Sequence, residues 1–379
     1  MPSPEGPLEF IGLVSTHPGS EAEPVETGTA VIQPDYLKTL ARAHEESGFD
    51  RVLIAHSSAS PDGFTVADQV LSHTERLGVL LAHRPGFVSP TYAARKYATL
   101  DAFHPGRVAL HTITGGDDRD QARDGDLTDK ATRYRRTDEF LSIVRSEWSS
   151  AAPFDFEGEF YTVKGGWSSV RPAPGGIPIY FGGASEDAIR VGGKHADVYA
   201  FWGEPLAGIA ERIREVREAA APYGRDPRFS VSLRPIPAAT ESEAWAKAEE
   251  ILELTKERAG QLRESWGWGG DKRDHASSPS ENVTARGSQR LLEYAAQSDV
   301  HDKRLWTAVA KETGAAGNST ALVGSYEQVA EALLEYVALG VSTLLIRGFY
   351  PLDDARDYGN LVRLVREQHD GAPLAGAAV

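Results

Sequence analysis

A short glycine and serine run between an apolar segment and a helical pattern is the feature of this sequence best suited to bind a phosphate. The apolar run Ile177 to Phe181 is followed by Gly182, Gly183, Ala184 and Ser185. Glycines let the backbone approach a phosphate closely, and the free N–H groups that begin a helix donate to anions. The same residues could equally form an ordinary strand-to-helix turn with Ser185 as the N-cap.

Polar residues that could bind or react with a small molecule recur after the other apolar runs. Each alone is more often structural, but the ends of parallel barrel strands meet on one face, so their recurrence favours a functional site there. These residues are His17, His56, Ser60, His83, Arg84, His111, Thr114, Trp202, Arg234, Arg347 and Tyr350.

Eight β-type apolar runs alternate with amphipathic segments, which is typical of βα units around a parallel sheet. Eight units favour a closed (β/α)8 TIM barrel over an open sheet. The predicted strands are Leu8 to Val14, Arg51 to Ile54, Leu77 to Ala82, Val108 to Ile113, Ile177 to Phe181, Val198 to Phe201, Phe229 to Ile236 and Thr343 to Ile346.

The pattern predicts one barrel domain over residues 1–370, with two insertions and a loose tail at 371–379. The first insertion, at about 152–176, begins with alternating residues from Ala152 to Thr162 that indicate a hairpin. The second, at 261–318, is polar and precedes the last strand, which favours a lid. A further helix, Ser325 to Leu339, leads into that strand.

Composition excludes several classes of function. A formal net charge of −15 disfavours binding to nucleic acid or an anionic membrane, and the absence of cysteine removes disulfides and thiolate chemistry. There is no His-Glu-x-x-His, G-x-S-x-G or Walker pattern, so no metal site, serine hydrolase or kinase is expected. With neither a signal peptide nor a long apolar stretch, the chain is expected to be cytoplasmic.

Several motifs resemble those of the luciferase-like flavin-dependent monooxygenases, most closely the alkanesulfonate monooxygenase branch. The resemblance runs from the first strand to about Val365. Its motifs are Val52-Leu53-Ile54, Ser89 to Arg95, Ala98 to Asp101, Thr114 to Asp117, Arg133-Tyr134, Glu139-Phe140, Tyr180 to Ser185, Trp202 to Pro205 and Thr320 to Gly324.

The resemblance implies a barrel that binds reduced FMN, supplied by an NAD(P)H-dependent flavin reductase, and uses O2 as co-substrate. In the sulfonate branch the products are an aldehyde and sulfite. The protein seats the flavin and excludes water, while the cofactor carries the chemistry. A homodimer or homotetramer is also implied. The matching cofactor-binding residues are Ala55, Thr114, Tyr134, Gly182, Gly183, Ala184 and Ser185.

The substrate side both keeps and departs from the branch's pattern. His17 and Trp202 match, whereas Ser60 stands where the branch has a cysteine. The other departures are Ser232 for an arginine, Arg234 for a histidine, Phe349 for a tyrosine and Ala315 for an arginine of the lid.

A cationic pocket could be rebuilt from the arginines and histidines of the rim, because guanidinium groups suit a sulfonate or carboxylate. His17, Arg234 and Tyr350 are the candidate catalytic residues. His56, Ser60, Trp202 and Arg347 are the candidates for binding an alkyl or sugar sulfonate.

Three alternatives stay open at this point. The substrate could be a sulfone, ketone or nitrogen compound, or the chain could be a deazaflavin-dependent dehydrogenase that transfers hydride. It could also be a noncatalytic flavin-binding barrel, although a long insertion and a cluster of rim residues favour an enzyme.

Overall fold

The protein is described by a computed structural model that covers residues 7–23, 31–266, 285–315 and 319–371, with side chains omitted for 260–266. The strands are β1 (Glu9–Leu13), β2 (Arg51–Ile54), β3 (Gly78–His83), β4 (Val108–Thr112), β5 (Phe154–Glu157), β6 (Thr162–Gly166), β7 (Ile179–Gly182), β8 (Val198–Trp202), β9 (Arg228–Ala238), β10 (Val300–His301), β11 (Leu305–Trp306), β12 (Ala321–Ser325) and β13 (Val341–Ile346).

Twelve α-helices accompany these strands within the described residues. They are α1 (Pro34–Glu46), α2 (Gly63–Ser72), α3 (Pro90–Phe103), α4 (Asp118–Arg123), α5 (Lys130–Ser149), α6 (Glu186–His195), α7 (Leu206–Ala220), α8 (Glu241–Trp266), α9 (Arg286–Gln297), α10 (Ala308–Thr313), α11 (Tyr326–Ala338) and α12 (Pro351–Gly371).

The fold is a (β/α)8 barrel, as the sequence predicts. Its eight strands are β1, β2, β3, β4, β7, β8, β9 and β13, and each overlaps one of the eight predicted runs. The order in the sheet is β10-β11-β12-β9-β13-β1-β2-β3-β4-β7-β8, and β9 also pairs with β8.

Contacts divide the chain into two compact units, which we treat separately. Unit 1 comprises Met1–Phe49, Phe201–Ile213 and Phe229–Val379. In it β1 pairs in parallel with β13, and β13 with β9. Strand β12 extends the other edge of β9 in parallel, so that Ala321 lies opposite Arg234.

Unit 2 comprises Asp50–Ala200 and Arg214–Arg228. Its parallel strands β2, β3, β4, β7 and β8 pair in that order. The predicted hairpin before β7 is confirmed: β5 and β6 are antiparallel, with Glu157 opposite Thr162. Every residue of β3 is buried, as expected for a strand covered on both faces.

The predicted insertion at 261–318 contains regular structure wherever it is described. It holds the end of α8, the helices α9 and α10, and the short antiparallel pair β10 and β11. The strands β10 and β11 and the helix α10 are too short to show a clear period, whereas α9 is twelve residues long and amphipathic and was not predicted. Residues 267–284 and 316–318, and tail residues 372–379, lie outside the described residues, so the predicted lid and loose tail stay predictions.

Candidate functional site

The turn from β7 into α6, which we call the glycine turn (Gly182–Ser185), lies in unit 2 and depends on a glycine at its second position. Gly183 has φ +147, and a Cβ atom there would lie 2.5 Å from the Cβ of Ala188 and 3.2 Å from the hydroxyl of Tyr134. Any larger residue would fill the space above the first turn of α6. The turn therefore leaves backbone and hydroxyl groups accessible at a helix N-terminus.

Hydroxyl groups surround the glycine turn. Ser185 is the N-cap of α6, and its Oγ accepts a hydrogen bond from Ala188 N at 3.3 Å. The buried Tyr134 hydroxyl bonds with the Ser185 side chain, and burial raises the pKa of Tyr134. Tyr199 donates to the Gly183 carbonyl oxygen at 3.0 Å. Both proposed roles of Ser185, N-cap and potential phosphate donor, are therefore compatible in one geometry.

A lysine lies among the charged groups near these residues. Lys130, the first residue of α5, is half-buried, and burial lowers its pKa, followed by the charge of Arg133. The negative charges of Asp118 and Asp187 raise the pKa of Lys130 and partly offset this decrease. Asp187 itself pairs with Arg190 at 3.3 Å. An ammonium group beside a helix N-terminus is a suitable environment for a phosphate.

The end of β4 carries buried polar atoms that have no hydrogen-bond partner in the described part of the chain. They are the hydroxyls of Thr112 and Thr114, Nδ1 of His111 and both amide atoms of Gln121. The amide of Gln121 packs where a Cβ of Gly115 would lie, and Gly115 has φ +91. Buried polar groups are normally satisfied, so an edge this rich in open donors and acceptors fits a polar ligand such as a flavin ring.

The loops after β2 and β3 are joined through one carboxylate of α4. Asp120 accepts from the Ser58 hydroxyl at 2.5 Å, and forms an ion pair with the buried Arg84, which also contacts Asp124 at 3.4 Å. Arg84 is thus structural and neutralised. Ala55, at the end of β2, is exposed and can pack against a ring.

The two substrate candidates of the loop after β2, His56 and Ser60, have different surroundings. His56 is half-buried, and burial lowers its pKa, followed by the charge of Arg84. Ser60 lies 2.9 Å from the hydroxyl of Ser57 and accepts from Ser57 N at 3.0 Å, so it also folds the loop.

His83 and His111 of unit 2 are neutral at physiological pH. His83 is the last residue of β3 and stacks on Phe140 at 5.3 Å between ring centroids, with Tyr97 at 5.9 Å. Burial lowers the pKa of His83 to about 3, and that of His111 to about 4. His83 therefore belongs to the aromatic core of unit 2, and does not supply positive charge to a substrate.

In unit 1, one carboxylate bridges the two arginines of the rim, which we call the arginine pair (Arg234 and Arg347). Oε2 of Glu21 bonds with Nη2 of Arg234, and Oε1 lies 3.1 Å from Nη1 of Arg347. Burial raises the pKa of Glu21, but the charges of both arginines outweigh it and hold the pKa below its ordinary value. Burial and then Arg234 lower the pKa of Arg347 to about 10.

Arg234 is fixed by three further contacts. Its Nη1 donates to the Gly348 carbonyl oxygen at 3.1 Å, and its guanidinium lies 4.5 Å from the ring centroid of Phe349. Its backbone N–H donates to Thr320 at 2.9 Å. Phe349, which replaces a tyrosine, belongs to a buried cluster that includes Trp306. The ring is thus a support for the arginine.

The loop after β13 is shaped by Asp354 of α12. Its Oδ2 accepts from the backbone N–H groups of Phe349 and Tyr350, both at 2.7 Å, and a Cβ on Gly348 would lie 1.8 Å from it. Burial raises the pKa of half-buried Tyr350, whose hydroxyl bonds with Ser20. Tyr350 therefore contacts the same segment that carries Glu21.

The other two candidates of unit 1 have different surroundings. His17 is half-buried, and its Nδ1 lacks a hydrogen-bond partner among the residues described. Trp202 ends β8 and packs against Leu291 and Ala310, and a Cβ on Gly287 of α9 would lie 3.0 Å from its ring. Trp202 is a contact for the insertion helix as well as a substrate candidate.

Glu21 was missed by sequence reasoning. It lies in an irregular segment, four residues after His17, and nothing local marks it. The available signal was electrostatic: two arginines on neighbouring strands call for a nearby carboxylate, because uncompensated buried charges are costly. Glu21 and Glu23 were the nearest acids to the first strand end.

Comparison with known proteins gives the family of this chain. The model of the luciferase-like monooxygenase family matches residues 9–343, and the chain therefore belongs to that family. Membership of this family supports an oxidoreductase.

Several solved structures share the fold at low sequence identity. A riboflavin lyase, crystallised with modified FMN and riboflavin, has TM-score 0.78 and 21% identity, over 98% of this chain and 94% of that chain. The EDTA monooxygenase of Chelativorans sp. BNC1 has TM-score 0.74 and 17% identity, over 98% and 96%. An F420-dependent secondary alcohol dehydrogenase has TM-score 0.66 and 16% identity, over 95% and 99%.

The described residues contain neither a membrane-spanning helix nor a cluster of metal-binding side chains. No helix among them has the length and apolar character needed to span a bilayer. Within the same ranges, no three His, Asp or Glu side chains cluster closely enough to hold a metal ion.

Proposed function

We propose that this protein is a monooxygenase that uses reduced FMN and O2 to oxidise an organosulfonate, an alkyl or a sugar sulfonate, to an aldehyde-type product and sulfite. The observation that carries the proposal is the arginine pair: two guanidinium groups converge on one oxyanion position in unit 1. Such paired guanidiniums match the geometry of a sulfonate or carboxylate.

The residues of unit 2 fit FMN. The glycine turn, with Tyr134 and Lys130, offers hydroxyl, backbone and ammonium donors for the phosphate. Thr112, Thr114 and His111 carry buried polar atoms that suit the edge of the isoalloxazine ring, and exposed Ala55 suits its face. A phosphate bound to a helix N-terminus needs backbone N–H groups that no side chain blocks, which is the condition that Gly183 meets.

When bound, the reduced flavin supplies two electrons to O2, so that one oxygen atom enters the product aldehyde, the other leaves as water, and the carbon–sulfur bond breaks to release sulfite. The side chains of the chain bind and orient the reactants. In the proposal Arg234 and Arg347 of unit 1 hold the sulfonate, and Trp202 contacts the rest of the substrate. His56 and Ser60 are the substrate candidates of unit 2.

Proton handling is assigned to His17 and Tyr350. His17 has an unpartnered Nδ1 among the described contacts, so one ring nitrogen is open to a reactant. Burial raises the pKa of Tyr350, so its hydroxyl remains protonated and can donate a hydrogen bond. These roles make His17 and Tyr350 sensitive to substitution without affecting the glycine turn.

The partner implied by this chemistry is an NAD(P)H-dependent flavin reductase that supplies the reduced FMN. We also propose that the chain assembles as a homodimer or homotetramer, which analytical ultracentrifugation would test by mass. A monomer at micromolar concentration would rule out that assembly.

The experiment is a turnover assay with reduced FMN regenerated by a generic reductase, O2 and a panel of alkyl and sugar sulfonates. Sulfite release with matching aldehyde formation is the expected result. Matched sulfones, ketones and amines, lacking the anionic group, serve as control substrates. Oxidation of these controls without sulfite release from any sulfonate would overturn the sulfonate assignment.

A parallel titration separates the cofactors. We expect tight binding of reduced FMN and weak binding of the deazaflavin F420. Tight F420 binding with hydride transfer to a carbonyl substrate would instead identify a dehydrogenase, and flavin binding without any turnover would identify a noncatalytic barrel.

A further inference from the structure

The carboxylate of Glu21 lies where an anionic ligand of the arginine pair would lie. Each of its two oxygens faces a different guanidinium, Oε2 toward Arg234 and Oε1 toward Arg347 at 3.1 Å. A sulfonate or carboxylate bound by two arginines makes the same two charge-assisted contacts. Glu21 therefore has the chemistry and the geometry of a ligand supplied by the chain itself.

The backbone that carries Glu21 is anchored by contacts that do not involve its side chain. Glu21 N donates to Phe349 O at 2.8 Å, and Arg258 donates to the carbonyl oxygens of Ser20 at 2.7 Å and Glu23 at 2.9 Å. Ala22 is fully buried. The side chain of Glu21 can therefore rotate away without unfolding the segment.

Exposure distinguishes the carboxylate from the arginine it bonds. The Glu21 side chain is 32% exposed, whereas that of Arg234 is 6% exposed. Solvent and an incoming anion can thus reach the carboxylate, while Arg234 stays fixed against Phe349. The exchangeable member of the ion pair is the glutamate.

We propose that Glu21 is an internal competitor for the anion site formed by Arg234 and Arg347, and that the anionic group of the substrate binds by exchanging with it. A neutral molecule cannot replace two charge-assisted hydrogen bonds, so Glu21 selects for substrates that carry an oxyanion. The inference rests on the proposed function for its choice of a sulfonate substrate.

The exchange predicts that neutralising Glu21 strengthens anion binding. Two guanidiniums and one carboxylate carry a formal charge of +1, and the charge rises to +2 when the carboxylate becomes an amide. With Glu21→Gln, an anion no longer competes with a charged side chain for the same donors. An increase in affinity of about tenfold is expected for a monoanion, because close charge pairs couple by this amount or more.

The test is calorimetric titration of the full-length protein with methanesulfonate and with inorganic sulfate, using dimethyl sulfone as the neutral probe. The variants are Glu21→Gln and the matched control Glu23→Gln, an exposed acid two residues along the chain. We expect about tenfold tighter anion binding in Glu21→Gln, no change in Glu23→Gln, and no change for the sulfone.

A double variant keeps the test specific. In the double variant Arg234→Gln/Arg347→Gln, no guanidinium is left for the Glu21 carboxylate to compete for, so adding Glu21→Gln should bring little further gain in anion affinity. Weaker or unchanged anion binding in Glu21→Gln would overturn the inference and identify Glu21 as a residue that positions the arginines. If neither the wild-type protein nor Glu21→Gln binds methanesulfonate or sulfate, the inference is overturned as well.

These measurements use no turnover, so they separate the inference from the proposed function. Tighter anion binding in Glu21→Gln together with no sulfite release from any sulfonate would support the exchange and refute the desulfonation. Sulfite release together with unchanged anion affinity in Glu21→Gln would support the desulfonation and refute the exchange.

Discussion

The candidate cofactor residues of unit 2 and the candidate substrate residues of unit 1 are built in opposite ways. Around the glycine turn, most groups are backbone atoms, hydroxyls and neutral rings, with the ammonium of Lys130 beside them, and several buried polar atoms near the end of β4 have no partner among the described residues. In unit 1 the groups are formal charges, and the arginine pair is already bonded to Glu21.

The glycine turn and the arginine pair therefore hold their ligands by different physical means. Preformed neutral donors such as Ser185 bind a phosphate without a competitor and need little rearrangement. The arginine pair is already bonded to the Glu21 carboxylate, which an anionic ligand must replace. The affinity for the ligand is therefore the difference in free energy between the ligand-bound and the Glu21-bound states of the pair. Substitutions in the two units should therefore affect different ligands.

The largest expected effect is on substrate affinity in unit 1. Arg234→Gln removes a buried guanidinium that contacts Glu21, Gly348 and Phe349, and we expect the KM for a sulfonate to rise about 100-fold, because truncating one partner of a buried charge pair costs several kcal/mol. The affinity for FMN should change by less than about twofold, since none of the contacts of Arg234 described above involves the glycine turn, and effects at independent sites are nearly additive. Steady-state kinetics and flavin titration measure the two quantities.

The matched control for that variant is Arg304→Gln, which removes an arginine of unit 1 whose partner, Glu241, is half exposed. It should leave both KM and FMN affinity unchanged. Equal losses of FMN and sulfonate affinity in Arg234→Gln would mean that cofactor binding and substrate binding are not separated between unit 2 and unit 1.

The second effect is on stability at acidic pH in unit 2. Burial depresses the pKa of His83 to about 3, so the unfolded state binds a proton at a higher pH than the folded state does. The contribution of neutral His83 to the free energy of unfolding is therefore fully present above the pKa of histidine in the unfolded state. It is lost progressively as the pH falls below that value. From pH 7.5 to 5 the loss is about 2 kcal/mol for one such histidine.

Replacement of His83 by phenylalanine tests that linkage, because the side chain already packs among the rings of Phe140 and Tyr97. We expect the loss of unfolding free energy between pH 7.5 and 5 to shrink by about 2 kcal/mol. An unchanged dependence in His83→Phe would show that His83 is charged in the folded state.

The third effect is on FMN affinity at the glycine turn. Gly183→Ala places a Cβ 2.5 Å from Ala188 and adds strain at φ +147, so FMN affinity should fall by more than about tenfold. Gly175→Ala also adds strain, at φ +102, but no atom lies within 4 Å of its Cβ. That control should lose stability alone, and fluorescence titration with FMN distinguishes the two.

The smallest effect separates a helix cap from a phosphate donor. Ser185→Ala should destabilise the protein by about 1 kcal/mol and weaken FMN binding about fivefold, since the hydroxyl serves both purposes. Ser325→Ala removes the N-cap of α11 in unit 1, where a capping box is present, and should cost similar stability without any change in FMN affinity. If both variants bind FMN equally well, Ser185 is only a cap.

The sequence predicted the parts of this molecule that depend on local pattern. All eight barrel strands follow from apolar runs, and α11 was predicted from Ser325 to Leu339, because periodicity and an N-cap serine are local signals. The glycine turn was found for the same reason, since Gly183 and Ser185 act through their own backbone and the helix beside them.

What the sequence could not provide depends on pairs that are distant along the chain. Glu21 and Arg234 are separated by more than two hundred residues, and their contact is visible only in the folded structure. The strand β12 was not predicted because its residues were taken only as a family motif. His83 was taken as a rim residue, whereas tertiary packing among aromatic rings makes it part of the core.

A crystal structure of the protein with FMN and an alkanesulfonate tests the division of function most directly. We expect the FMN phosphate at the first turn of α6, within hydrogen-bond distance of Ser185, and the sulfonate oxygens between Arg234 and Arg347. The Glu21 carboxylate should have moved away from that position. A phosphate bound between the two arginines, with the glycine turn making no contact to the cofactor, would contradict the assignment of both sites.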